Sequence, residues 1–115
     1  MKLDEALDLA KRELEVRRDI YTYDTLAWAL YKNNKFKEAL EASKESLKLG
    51  TKDAILFFHA GMIYYKLGDM DKAREYLSRA ISTNPYFHVI YSDVAKSTLK
   101  EIESKFSVKR AENGL

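Results

Sequence analysis

The chain has 115 residues, of which 46% are apolar and 33% charged, and it contains no cysteine. This composition indicates one folded domain and excludes a disordered chain, a disulfide scaffold and a thiolate metal site. The formal net charge of +2 is too small to indicate a nucleic-acid partner by itself. No apolar run is long enough for a membrane span. Because the absence of cysteine fits a reducing compartment, we expect a cytoplasmic location.

Apolar positions that recur every three or four residues predict an all-α chain of about six helices. In chain order we expect them at residues 2–17, 20–32, 36–49, 52–66, 70–82 and 85–104. Four side chains suit helix N-caps, namely Asp19, Thr51, Asp69 and Asn84. Gly50 and Gly68 suit helix C-termini, since glycine readily adopts the left-handed conformation found there.

The chain repeats itself with a period of 34 residues. The aligned pairs include Tyr23 with Phe57, Ala27 with Gly61, Leu30 with Tyr64, Ala39 with Ala73, and Leu47 with Ile81. Within the second unit, small residues alternate with large ones, which lets two antiparallel helices approach closely. We therefore expect Gly61 and Ala73 to face each other at a close helix contact. A fixed helical period of this kind predicts a solenoid.

The second unit carries the residues of a known pattern. The matching positions are Phe57, Ala60, Gly61, Tyr64, Ala73, Leu77, Ala80 and Pro85. They follow W-x2-L-G-x2-Y, A-x3-F, A and P, so the sequence resembles the tetratricopeptide repeat family. The first unit departs from the pattern at Ser43, Ser46 and Thr51. The resemblance implies a right-handed α-solenoid of antiparallel helix pairs.

On this resemblance the chain divides into five segments. They are a half repeat at 1–19, repeats at 20–53 and 54–87, a C-terminal capping helix at 88–105 and a flexible tail at 106–115. The first segment resembles the second helix of a repeat whose first helix is missing. Either the chain is a piece of a longer array, or this helix caps the solenoid. The exposed helical ends could also support self-association.

The sequence carries no motif that indicates a catalytic, metal or cofactor site. His59 and His88 are the two histidines, and neither has a second histidine or a cysteine at metal-ligand spacing. No serine has the glycine-flanked turn of a hydrolase, and no glycine-rich phosphate loop occurs. We therefore expect no enzyme activity, no metal and no cofactor.

The candidate site is the concave groove that the first helices of such repeats line. Positions not needed for packing predict a peptide-binding surface made of Tyr21, Thr25, Trp28, Tyr31, Lys32, Phe58, His59, Met62, Tyr65, Lys66, Lys96 and Lys100. Large aromatic side chains are typical of binding hot spots, so Trp28, Tyr31, Met62 and Tyr65 are expected to be partly exposed. The alternative is that Trp28 and Met62 cover a shallow inner core.

Lysines recur along this surface at Lys32, Lys66 and Lys100. Beside aromatic residues they suit an acidic peptide or a C-terminal carboxylate, whereas near helix C-termini they also complement the helix dipole. The carboxylate clamp of the family's chaperone adaptors is absent. The corresponding places hold Asp24, Trp28, His59, Val89 and Asp93.

We expect the chain to be a non-catalytic protein-interaction module, or scaffold, that binds a protein or peptide partner. The concave groove would hold a peptide or a helix of that partner. The alternative is a structural spacer or a self-association segment of a longer array. RNA binding ranks last because Asp24 and Asp93 lie on the expected inner surface, so we expect no nucleic-acid partner.

Overall fold

The computed structural model describes residues 2–48 and 50–112, with side chains up to Phe106 in the last helix. Over these residues the chain forms six helices and no strand: α1 (Leu3–Val16), α2 (Ile20–Lys32), α3 (Phe36–Leu47), α4 (Ala54–Leu67), α5 (Met70–Thr83) and α6 (Tyr91–Glu112). The predicted all-α fold is confirmed.

Helices α2 and α5 lie where the sequence predicts them because their ends carry local signals. Asp19 accepts a hydrogen bond from the Thr22 amide at 2.8 Å, and Asp69 accepts one from the Lys72 amide at 3.1 Å. Both side chains are therefore N-caps, as predicted. Gly68 ends α4 with a φ of 84°, in the left-handed region that favours glycine.

The start of α4 differs from the prediction. The helix begins at Ala54, where Asp53 is the N-cap and accepts from the Ile55 amide at 3.1 Å. Thr51 instead accepts from the Asp53 amide at 3.1 Å. The Thr51 hydroxyl therefore stabilises the segment before α4 and does not cap the helix. Helix α3 ends at Leu47, and Leu49, at its predicted end, lies outside the described residues.

Both ends of α6 were predicted wrongly. The segment from Asn84 to Ile90 is irregular, so Pro85 does not begin a helix. His88 Nδ1 accepts hydrogen bonds from the amides of Ile90 and Tyr91 at 3.0 and 3.1 Å. These two amides would otherwise lack partners at a helix start, so His88 determines where α6 begins. The helix then continues to Glu112, where the sequence predicts a tail. Residues 113–115 of that tail lie outside the described residues.

The helices form two layers. Helices α2, α4 and α6 make one side, which we call the inner side, and α1, α3 and α5 make the outer side. Consecutive helices pack against each other, and α2 also packs on α4. The molecule is elongated, with extents of 54 × 26 × 26 Å. One core cluster is centred on α1, α2 and α3, and the other on α4, α5 and α6.

The closest helix contact involves Gly61. A Cβ atom on this glycine would lie 2.7 Å from Leu77 Cγ and 3.1 Å from the Leu77 backbone nitrogen. The closest partner of Gly61 is therefore Leu77 and not Ala73, which the sequence predicted there. Glycine allows this close approach, because real Cβ atoms essentially never lie within 3.0 Å of a neighbouring atom. None of the helices in the described part of the chain is long and apolar enough to cross a membrane.

Candidate functional site

Trp28 is the centre of an aromatic cluster that joins the three inner helices. Its ring stacks on Tyr31 at a centroid distance of 4.5 Å and on His59 at 4.1 Å. The Tyr91 ring makes a T-shaped contact with Trp28 at a centroid distance of 5.8 Å, and Phe58 stacks on Tyr91 at 4.9 Å. Aromatic pairs at these distances contribute about 0.5–1.5 kcal/mol each beyond their burial. Trp28 thus stabilises the inner side and is half-buried there.

A buried polar pair lies behind this cluster. His59 Nδ1–H donates to both carboxylate oxygens of Asp24, each at 2.9 Å, and both side chains are about nine-tenths buried. The acceptors are carboxylate oxygens, so Nδ1 carries the proton. The bond links α2 to α4 and satisfies two polar groups that would be costly to bury alone. Asp24 was expected on the inner surface, and the structure places it inside.

The predicted groove residues separate into three classes of exposure. The exposed ones are Tyr21, Thr25, Lys32, Lys66, Lys96 and Lys100. The half-buried ones are Trp28, Tyr31 and Tyr65. The buried ones are Phe58, His59 and Met62. The expectation that Met62 is partly exposed is therefore wrong, and Phe58, at 1% exposure, is a core residue. Both pack into the core cluster of α4, α5 and α6, which removes their surface from any ligand.

Lysine side chains lie over the aromatic rings of the inner side. Lys32 Nζ lies 5.8 Å from the Trp28 ring centroid, and Lys105 Nζ lies 5.5 Å from that of Tyr65. The Glu101 carboxylate, as hydrogen-bond acceptor, and to a smaller extent burial raise the pKa of Tyr65 above its ordinary value. Burial likewise raises the pKa of Tyr31. Both hydroxyls therefore stay protonated at neutral pH.

The irregular segment before α6 adds surface that the sequence interpretation missed. Tyr86, Val89 and Ile90 are exposed there, and Lys96 Nζ lies 5.0 Å from the Tyr86 ring centroid. The sequence predicted a helix here because Asn84 suits an N-cap and Pro85 suits the first helical position. The signal that could have corrected this is His88 placed just before Tyr91, since a histidine ring nitrogen can accept from helix-start amides.

Comparison with known proteins agrees with this architecture. A family model described as a tetratricopeptide repeat matches residues 25–86. The chain belongs to the tetratricopeptide repeat family. The predicted family and the solenoid fold are thereby confirmed.

Two curated relatives match the chain over part of their length. A TPR repeat-containing protein of Methanocaldococcus jannaschii is 33% identical over 78 residues, which is 67% of this chain and 14% of that protein. Anaphase-promoting complex subunit 3 of Dictyostelium discoideum is 25% identical over 85 residues, which is 73% of this chain and 9% of that protein. The chain thus spans only a small part of these relatives.

Two solved structures share the tetratricopeptide fold. PcrH, in complex with the chaperone-binding region of PopD, has a TM-score of 0.76 at 17% identity, covering 90% of this chain and 80% of that one. The TPR2AB domain of yeast Sti1, in a complex with pHSP90, has a TM-score of 0.72 at 21% identity, covering 96% of this chain and 43% of that one. At these identities the likeness establishes the fold.

Proposed function

We propose that this tetratricopeptide chain is a non-catalytic protein-interaction module that holds a peptide or a partner helix on its inner side. The observation that carries the proposal is the half-buried Trp28 cluster, which is flanked by exposed lysines. Aromatic surface beside cationic side chains is typical of peptide recognition. Structural neighbours in complex with PopD and with pHSP90 support a partner of this class.

The charges favour an acidic partner segment with an apolar anchor. Lys32, Lys66, Lys96 and Lys100 are all exposed on the inner helices. The carboxylate of Asp24 is buried and bonded to His59, so it does not present negative charge to a ligand. The rings of Trp28, Tyr31 and Tyr65 would contact the anchor, and the lysines would pair with flanking carboxylates.

The test uses exposed residues so that folding is preserved. A synthetic peptide in which glutamates flank a pair of leucines is the probe, and isothermal titration calorimetry measures its affinity. The double variant Lys32→Glu and Lys66→Glu should weaken binding at least tenfold, which corresponds to about 1.4 kcal/mol. Its melting temperature should stay close to that of the parent, because exposed charges contribute little to folding.

The control is Lys37→Glu, an exposed position on α3 of the outer side. This variant changes the net charge in the same direction but leaves the inner side unchanged. Binding should therefore stay within about twofold. If Lys37→Glu weakens binding as much per charge as the double variant, the effect is long-range electrostatics and the inner-side proposal is wrong.

Trp28→Ala does not test binding alone. Because Trp28 stacks on Tyr31 and His59, its truncation is expected to lower stability as well as affinity. Binding by this variant must therefore be measured on the folded fraction, below its melting temperature. A Trp28→Ala protein that is destabilised but binds the acidic peptide normally would remove Trp28 from the contact surface.

The second candidate is a spacer or self-association segment, which the exposed flank of α1 favours. Leu9 is 46% exposed and Val16 81% exposed on this helix. Such a flank suits a neighbouring repeat or a second copy of the chain. Light scattering over a range of concentrations tests this. A mass that rises with concentration and returns to the monomer value in Leu9→Lys with Val16→Lys would favour self-association.

A further inference from the structure

The outer side has an open apolar groove in its first half. It lies between α1 and α3, with α2 as its floor, and has a volume of about 360 Å³. The floor is formed by Tyr23, Leu26 and Leu30, and Ala42 of α3 forms part of one wall. Tyr23 and Leu26 are half-buried, so the groove offers apolar surface to a partner.

The equivalent place in the second half is occupied by the chain itself. Between α3 and α5 the Tyr76 ring stacks on Tyr64 with a centroid distance of 5.7 Å and an interplanar angle of 9°. The remaining cavity there is about 170 Å³. One period earlier, Ala42 stands in place of Tyr76 and Leu30 in place of Tyr64. The first groove therefore lacks the aromatic ring that fills the second.

The rim of the open groove is acidic. Glu38, Glu41 and Glu45 follow one edge of α3, and Lys11 of α1 lies opposite. Lys44 and Lys48 pair with Glu41 and Glu45 at 3.8 and 3.4 Å, but these lysines line the other groove. Exposed pairs of this kind contribute about 0–1 kcal/mol, so the carboxylates stay available to a cationic partner.

We propose that this outer groove is a docking site for a basic peptide segment with an aromatic anchor. The anchor ring packs on the half-buried Tyr23 and Leu26, close to the place that Tyr76 takes one period later. Lysine or arginine side chains next to the anchor pair with Glu38, Glu41 and Glu45. The site lies opposite the inner side, and its partner has the opposite charge. The proposal therefore does not depend on the proposed function.

The experiment uses the full chain and a synthetic peptide in which lysines and arginines flank one tyrosine. Calorimetry measures its affinity, and a peptide with alanine in place of the tyrosine is the ligand control. Ala42→Tyr fills the groove from within, as Tyr76 does in the second half. It should weaken binding at least tenfold while the melting temperature stays equal or rises.

Charge reversal gives an independent variant if Ala42→Tyr folds poorly. Glu38→Lys with Glu41→Lys changes two exposed positions and should also weaken the basic peptide at least tenfold. The matched control reverses Glu101 and Glu103 on α6, both exposed, and should change affinity by no more than about twofold. The acidic peptide used for the inner side should bind Ala42→Tyr as it binds the parent.

Three outcomes would overturn the proposal. The first is equal binding of the tyrosine and alanine peptides. The second is an equal loss of affinity when Glu101 and Glu103 are reversed. The third is saturable dimerisation that Ala42→Tyr abolishes with no effect on the peptide, which would make a second copy of the chain the occupant. Failure of these tests leaves the inner-side proposal intact, because the two peptides and the two sets of variants are separate.

Discussion

The two repeats solve the same packing problem in different ways. In the second, α4 and α5 approach closely because Gly61 faces the fully buried Leu77. In the first, the aligned positions hold Ala27 and Ser43, and both are buried. The second repeat thus pairs a glycine with a large side chain at this contact, whereas the first repeat pairs two small side chains. The two helix pairs therefore differ in the side-chain volumes at their contact.

The repeats also differ in what holds their outer edges. The second repeat closes its outer groove with stacked Tyr64 and Tyr76. The first leaves its groove open and uses polar ties, since Ser46 Oγ donates to the Ile20 carbonyl at 2.7 Å. Asn33 Nδ2 donates to the Leu3 carbonyl at 3.0 Å and joins α2 to α1. We infer that the second repeat contributes most of the hydrophobic stabilisation and the first offers more free surface.

Truncating Leu77 and its aligned residue Ser43 should give the largest difference between the two repeats. Leu77→Ala removes a fully buried side chain and should cost about 2–5 kcal/mol. The melting temperature should fall by at least about 8 °C, at roughly 4–8 °C per kcal/mol. Ser43→Ala removes one small polar group and should change stability by less than about 1 kcal/mol. Equal losses, measured by thermal circular dichroism, would show that the two contacts are equivalent.

The aromatic closure of the second repeat predicts the next largest effect. Tyr76→Ala removes the stack on Tyr64 and half-buried surface, which together should cost about 2 kcal/mol. The variant should also open a second outer groove like the first. Its rim carries Lys44 and Lys48, so the basic peptide should not gain a second site. If calorimetry shows that the Tyr76→Ala chain binds a second basic peptide, charge does not select the partner.

Substitutions at Gly61 and Leu77 test the helix contact of the second repeat directly. Gly61→Ala places a Cβ atom 2.7 Å from Leu77 Cγ, and overpacking typically costs about 1–3 kcal/mol. The better helix propensity of alanine recovers about 1 kcal/mol, so the net loss should be about 1 kcal/mol. In a Leu77→Ser background, which imports the pair of the first repeat, the same change should be neutral or stabilising. A double-mutant cycle without coupling would contradict the contact.

The smallest effect concerns the cap that starts the first repeat. The Thr22 amide, which donates to Asp19, lowers the pKa of that carboxyl below its ordinary value, and the Thr22 hydroxyl adds to this. Because the pKa of Asp19 is lower in the folded chain, its carboxylate stabilises the fold at pH values above the ordinary pKa of aspartate. This contribution is lost as the pH falls through the folded pKa. Asp19→Asn should therefore slightly lower the melting temperature at neutral pH, and the difference should vanish in acid. A constant difference would exclude the charge as its cause.

The sequence by itself determined what depends on neighbouring residues along the chain. Helix α2 begins after Asp19 and α5 after Asp69, because an N-cap needs only amides within the next turn. The period of the apolar residues predicted the solenoid, since each repeat must bury the same face. The residues at the pattern positions of the second unit carried the resemblance to the family. The lysines predicted for the inner surface are exposed, because they occupy positions that the packing of the repeats does not need.

Only the tertiary structure decided what depends on which side chains meet between helices. The burial of Met62 and Phe58 follows from α5 and α6 covering α4, and no spacing in α4 reveals this. The Asp24–His59 bond joins residues 35 positions apart. Ala42 has no ring to fill the space beside it, and a groove is open there because α1 and α3 stay apart above α2. Burial and cavities are properties of the assembled layers, so a periodic sequence specifies the layers but not the gaps and contacts between them.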